Sequence, residues 1–79
     1  MNLTLYHVEG CQYCQKVRDF MMQNGIIIPL IDIHQNRVYI DELIKIGGKK
    51  QVPCLMINGK ALYESDDIIN WLKKNWKKI

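Results

Sequence analysis

The stretch Gly10-Cys11-Gln12-Tyr13-Cys14 joins an alternating apolar run to a segment of helical periodicity. If a helix begins at about Cys11, that thiol lies at the helix amino end, where free backbone N–H groups and the positive end of the macrodipole favour an anion. Cys14 returns to the same side of the first turn, within reach of a mixed disulfide formed at Cys11. The spacing suits a nucleophile followed by a resolving thiol. Zinc fits less well, because it needs four ligands and the remaining candidates, Cys54, His7 and His34, include no second close pair. A structural disulfide closing so short a loop would constrain the unfolded chain little. Strand context before the pair and helix context after it favour redox chemistry.

Outward from the pair, Leu3 to Val8 places Leu3, Leu5 and His7 on one face and Thr4, Tyr6 and Val8 on the other, as in a mostly buried strand. His7, at the strand end, reads as a packed or hydrogen-bonded residue rather than a base for Cys11. On the other side, Cys14, Val17, Met21 and Asn24 follow one helical face that Phe20 widens, and Gly25 fits the helix end. The β-branched run 26–33 predicts a second strand, strongest after Pro29, and its continuous hydrophobicity predicts cover on both faces in a parallel βαβ unit.

Arg37 to Ile46 predicts a second helix with Ile40, Leu43 and Ile44 inward, ended by Gly47-Gly48. Cys54 to Ile57 and Lys60 to Tyr63 predict two strands joined by Asn58-Gly59, the signal for a two-residue type I′ hairpin. Ser65 can cap a last helix with Asp66 and Asp67 in its first turn and Ile69, Leu72 and Trp76 inward. The expected order is βαβαββα, an α/β fold with a four-stranded mixed sheet flanked by helices.

The 79 residues suit a single domain, 1–79, in which almost half the side chains are hydrophobic and no linker, repeat or low-complexity tract intervenes. The amino terminus lacks the pattern of a signal peptide and no apolar run reaches membrane-spanning length, so a soluble cytoplasmic protein without membrane association is expected. An odd number of cysteines, three, argues against a secreted disulfide framework. The net charge of +3 owes much to Lys73, Lys74, Lys77 and Lys78, which read as a solvated helix carboxyl end. Nucleic-acid binding is not expected, since Trp71 and Trp76 are spaced for core burial rather than base stacking.

Three motifs together resemble the glutaredoxins, the small glutathione-dependent branch of the thioredoxin superfamily, over essentially the whole chain. Cys11-Gln12-Tyr13-Cys14 is similar to the family's Cys-Pro-Tyr-Cys, Gln51-Val52-Pro53 to its Thr-Val-Pro, and Ser65-Asp66-Asp67 to the Ser/Cys-Asp-Asp that opens its last helix. The resemblance implies a thioredoxin-like fold, a cis Val52-Pro53 bond beside the cysteines, and a glutathione site. In that site the Val52 backbone would meet the cysteinyl backbone, the Ser65 and Asp66 amides the γ-glutamyl carboxylate, and an acidic group its amine. Lys49 matches a basic position that would meet the glycyl carboxylate; from the residues alone it reads as a solvated loop lysine. Tyr13, Pro53 and Asp67 complete the expected glutathione contacts.

The chain departs from the glutaredoxin pattern at Gln12, Gln51 and Val8, the last standing where many members carry a lysine. Val52-Pro53-Cys54-Leu55 and Leu62-Tyr63-Glu64-Ser65 also resemble the V-P-x-L and L-x-E-S of the glutathione transferase amino-terminal domain, which adds Glu64 to the γ-glutamyl site. A complete transferase is not expected, because the sequence stops before a transferase-type helical domain. The resemblance implies a dithiol oxidoreductase that reduces protein disulfides and glutathione mixed disulfides, with Cys11 as nucleophile and Cys14 as resolving thiol. Glutathione would be co-substrate and partner, disulfide-containing or glutathionylated proteins the other partners, and the protein a monomer without a metal. Two alternatives stay open. One is a redoxin served by a thioredoxin reductase; the other is a carrier of a [2Fe–2S] cluster shared between two subunits with glutathione, which Gln12 in place of proline leaves possible.

Overall fold

Seven elements follow in the expected order: β1 (Leu3–His7), α1 (Gln12–Gln23), β2 (Leu30–Asp32), α2 (Arg37–Gly47), β3 (Cys54–Ile57), β4 (Lys60–Tyr63) and α3 (Ser65–Asn75). The computed structural model describes residues 2–76, so Lys77 and Lys78 of the basic carboxyl end lie outside the described residues. The sheet has the order β2-β1-β3-β4, with β1 parallel to β2 and antiparallel to β3, and β3 antiparallel to β4.

Alternation along the two central strands divides the core. Leu3 and Leu5 of β1 and Leu55 of β3 pack with Val17 and Met21 of α1 and Ile68 and Leu72 of α3. Tyr6, Cys54 and Met56 point the other way, toward Leu43 of α2 and Ile33. Helices α1 and α3 therefore cover one face and α2 the other. Full burial of a side chain such as Leu5 or Leu55 contributes about 1.5–3 kcal/mol.

Local signals set the boundaries. The Ile26 N–H bonds the Met21 carbonyl at 2.8 Å and the Gly25 N–H the Met22 carbonyl at 3.3 Å, the paired bonds that close a helix carboxyl end after its cap. The Asn36 side chain caps α2 by accepting the Val38 N–H at 2.9 Å. Asn58 and Gly59 have φ of 51° and 83°, the two positive values that a type I′ turn requires.

The structure corrects four expectations. β2 has three residues and lies at the sheet edge, with Leu30 exposed. Within the run 26–33 only Ile26, Ile28 and Ile33 are buried, whereas Ile27 is 87% exposed. Pro29 and the turn after α1 keep most of that run out of the ladder, so its hydrophobicity serves the crossing beneath α1 rather than a two-faced strand. Ile44 is exposed, and the inward face of α2 centres on Leu43, with Tyr39 and Ile40 half-buried. Asn24 is exposed as the cap of α1. The α3 face runs through Ile68 and Leu72, with Ile69 and Trp76 half-buried against the same core as expected, but Ser65 is its first residue, not its cap, which is Glu64.

Candidate functional site

Cys11 is the N-cap of α1, with extended backbone (φ −87°, ψ 119°), and its sulfur accepts the Cys14 N–H at 3.4 Å. A thiol here takes the place of the serine or aspartate that usually caps a helix, so its anion receives hydrogen bonds that the helix end must satisfy in any case. Burial pushes the Cys11 thiol up, but hydrogen bonds from the Cys14 side chain and from the Cys14 and Tyr13 N–H groups outweigh it and hold the thiol below the ordinary cysteine range. Among the described residues no lysine adds to this effect, and Val8 stands where many glutaredoxins carry one.

Cys14 is completely buried one turn on. Burial, and then the hydrogen bond it donates to Cys11, push its thiol up to about 12, although the Val8 N–H and the Arg18 guanidinium oppose the rise. The two thiols thus differ in the sense that a nucleophile and a resolving partner require: one is partly exposed and acidic, the other withdrawn and protonated. All three cysteines are free. Cys54 is fully buried at the start of β3, and burial pushes its thiol up to about 11; it is a core residue.

Tyr13, two residues after Cys11, lines a pocket of about 420 Å³ together with Gln51, Val52, Pro53, Glu64, Ser65 and Asp66. The Val52-Pro53 peptide is cis, and Val52 lies outside the β3 ladder, which starts at Cys54. The wall opposite is the amino end of α3. There the Ile68 N–H bonds the Glu64 carbonyl at 3.0 Å, which leaves the Ser65, Asp66 and Asp67 amides without a partner inside the helix, and Glu64 supplies no side-chain cap. An uncapped helix amino end facing a pocket is suited to a carboxylate.

Of the predicted glutathione positions, the pocket gathers Tyr13, Val52, Pro53, Glu64, Ser65 and Asp66, and leaves two outside its lining. Asp67 follows in the first turn of α3. Lys49 sits with its Nζ 4.6 Å from the centroid of the Tyr63 ring, while its carbonyl accepts the Tyr63 hydroxyl at 3.0 Å.

A family model for the glutathione S-transferase N-terminal domain matches residues 5–77. The chain belongs to that family. Prostaglandin E synthase 2 of Danio rerio is 36% identical to this transferase-type domain over 74 residues, covering 92% of this chain and 19% of the relative. Glutaredoxin 3 of Escherichia coli is 27% identical over 67 residues, covering 85% of this chain and 81% of the relative. Among solved structures, a diazinon-metabolizing glutathione S-transferase of the silkworm Bombyx mori superposes with a TM-score of 0.81 at 21% identity, over 99% of this chain and 39% of that one. The chain therefore spans about a fifth of the zebrafish relative's length and well under half of the silkworm enzyme's. The fold is thioredoxin-like, as the motifs implied.

Two contacts of this glutathione S-transferase amino-terminal domain were not legible in its sequence. Gln51 donates to the Glu64 carboxylate at 2.9 Å and forms part of the lining. Its position at the threonine of Thr-Val-Pro was the available signal. Lys16 of α1 pairs with Asp66 at the start of α3, and both side chains are exposed. Nothing local announces a contact across fifty residues; it follows from the packing of α1 against α3.

Proposed function

We propose that the domain is a glutathione-dependent thiol–disulfide oxidoreductase of the dithiol type, acting in a reducing compartment such as the cytoplasm on glutathionylated and disulfide-containing proteins. The observation that carries this reading is the capping position of Cys11: an acidic, partly exposed thiol bonded by the Cys14 N–H, with the buried Cys14 one turn on and a pocket lined by the neighbouring Tyr13. The Cys11 thiolate attacks the glutathionyl sulfur of a mixed disulfide, a new S–S bond forms to Cys11, and the protein thiolate leaves and takes a proton from solvent. A second glutathione thiolate then attacks the glutathionyl sulfur, releasing oxidised glutathione and restoring the Cys11 thiolate. The Ser65 and Asp66 amides would receive the γ-glutamyl carboxylate, Glu64 and Asp66 its ammonium, Val52 the cysteinyl backbone, and Tyr13 and Pro53 the walls. Lys49 would swing from Tyr63 toward the glycyl carboxylate.

The test is turnover of a glutathionylated substrate with glutathione and its reductase, beside reduction of a protein disulfide, for the wild type and two variants. Cys14→Ser should keep the first activity, because free glutathione can resolve the Cys11 mixed disulfide. It should lose most of the second, where a resolving thiol already held one turn away acts by proximity. Cys11→Ser should abolish both. Loss of the first activity in a folded Cys14→Ser protein would favour a reductase-coupled redoxin, and a coloured, glutathione-dependent dimer on anaerobic purification would favour the cluster carrier.

A further inference from the structure

A second depression, of about 540 Å³, lies against α2 and takes no part in the chemistry above. Its apolar lining is isoleucine: buried Ile33, half-buried Ile40 and exposed Ile44. Its polar lining is exposed throughout and consists of Arg37, Lys50, His34 and a single acid, Asp41. Among the described residues neither Arg37 nor Lys50 pairs with a carboxylate, Asp41 included, whereas Lys16 and Arg18 each do. Two cations without partners thus stand beside aliphatic side chains that the fold leaves open to water.

The sheet puts this depression at the same end of the molecule as Cys11. β1 and β2 run parallel with His7 opposite Asp32, and antiparallel β3 begins at Cys54, opposite Tyr6. The carboxyl ends of β1 and β2 and the amino end of β3 therefore coincide. From that end β1 leads to Cys11, β2 leads to His34 and Arg37, and Lys50 stands just before β3. Lys50 lines the depression, and the next residues, Gln51, Val52 and Pro53, line the pocket proposed for glutathione. The segment 50–53 borders both cavities.

We infer that, given the glutathione-dependent activity proposed above, the depression receives the polypeptide arm of a glutathionylated protein, a segment with an acidic side chain beside an aliphatic one. A mixed disulfide has two arms that diverge from one S–S bond. With the glutathionyl arm in the pocket of Gln51 and Val52, the polypeptide arm crosses the surface around it, and segment 50–53 leads directly to the depression. Arg37 and Lys50 against the lone Asp41 favour a carboxylate and repel a basic segment. Ile33, Ile40 and Ile44 offer an apolar side chain the contact that their exposure leaves unused. A small ligand is normally buried over most of its surface, which a depression with so many exposed lining residues does not provide; side chains of a peptide lying across it need no such enclosure.

The experiment measures kcat/KM of the full chain, with glutathione as reductant, on short glutathionylated peptides that carry Glu-Leu, Gln-Leu, Lys-Leu or Glu-Ser at several spacings from the cysteine. The mixed disulfide of glutathione with 2-mercaptoethanol serves as the substrate without a polypeptide arm. At the best spacing Glu-Leu should exceed Gln-Leu and Glu-Ser by about fivefold each, and its lead over Gln-Leu should shrink as salt rises. Arg37→Glu combined with Lys50→Glu should reverse the order, so that Lys-Leu exceeds Glu-Leu, and Asp41→Asn should favour Glu-Leu further. A merely structural role for these exposed residues would move all the peptides together. Equal kcat/KM for Glu-Leu, Gln-Leu and Lys-Leu at every spacing, with the small mixed disulfide still turned over, would overturn the inference and leave the glutathione reading standing. So would a preference for Glu-Leu that survives the double charge reversal, because the peptide would then lie elsewhere. A folded wild type that turned over none of these substrates would remove the glutathione reading and the inference with it.

Discussion

Glu64 is the residue whose backbone is most at odds with its side chain. Its φ of 72° lies where a Cβ is strained, yet it caps α3, accepts from Gln51 and lines the pocket. Such a conformation costs about 1–3 kcal/mol and persists where surrounding structure holds it, commonly at a binding site. Glu64→Gly should therefore raise stability by about 1 kcal/mol after glycine's own entropy cost, seen as a higher melting temperature, while glutathione turnover falls through loss of the carboxylate. A lower melting temperature would show that the Gln51 contact outweighs the strain. At this scale the cysteines were legible because their chemistry is local: a capping position and a one-turn spacing depend on adjacent residues. Glu64 as a cap and Gln51 as its partner were not, since they depend on how β4 turns into α3.

Helix α2 approaches β4 through Gly47, its last residue, and no larger side chain fits there. A Cβ at this position would stand 1.9 Å from the Tyr63 hydroxyl oxygen and 3.0 Å from the Ala61 Cβ. Tyr63 cannot yield freely, because its hydroxyl bonds the Lys49 carbonyl and its ring faces the Lys49 ammonium. Gly47→Ala should destabilise the protein by about 1–3 kcal/mol in urea unfolding despite alanine's better helix propensity, and Tyr63→Phe in the same background should recover part of the loss. Full additivity of the two changes would deny the clash. Elements announced by their own residues were readable from the sequence: the β1 alternation, the Asn58-Gly59 hairpin and the α1 face. The register of α2 and the place of the 26–33 run were not, because Ile44 and Ile27 are apolar side chains left exposed by tertiary packing that periodicity does not record.

For the molecule as a whole, the buried titratable groups set the pH range of stability. His7 has a lowered folded pKa, so the unfolded chain binds its proton more readily; its contribution is complete above the ordinary value of 6.5 and is lost as pH falls through the lowered one. Cys14 and Cys54, raised from 9.0 to about 12 and about 11, contribute fully below pH 9 and lose that contribution as pH rises through those values. Stability measured by denaturant should thus be highest between about pH 7 and 9, and Cys54→Ala should flatten the alkaline fall. An alkaline limb unchanged by that substitution would contradict the burial assigned to the thiol. The edge position of β2 has a further consequence. The Pro29 carbonyl bonds the Leu5 N–H and the Ile33 N–H the His7 carbonyl, so residues 29, 31 and 33 turn inward and only Leu30 and Asp32 offer outward backbone groups. Asp32 then ends the strand by accepting the His34 N–H on its side chain. A template two residues long is too short to seed the stacking of one sheet upon the next copy's edge, so this apolar margin is guarded against fibril growth by brevity rather than by charge.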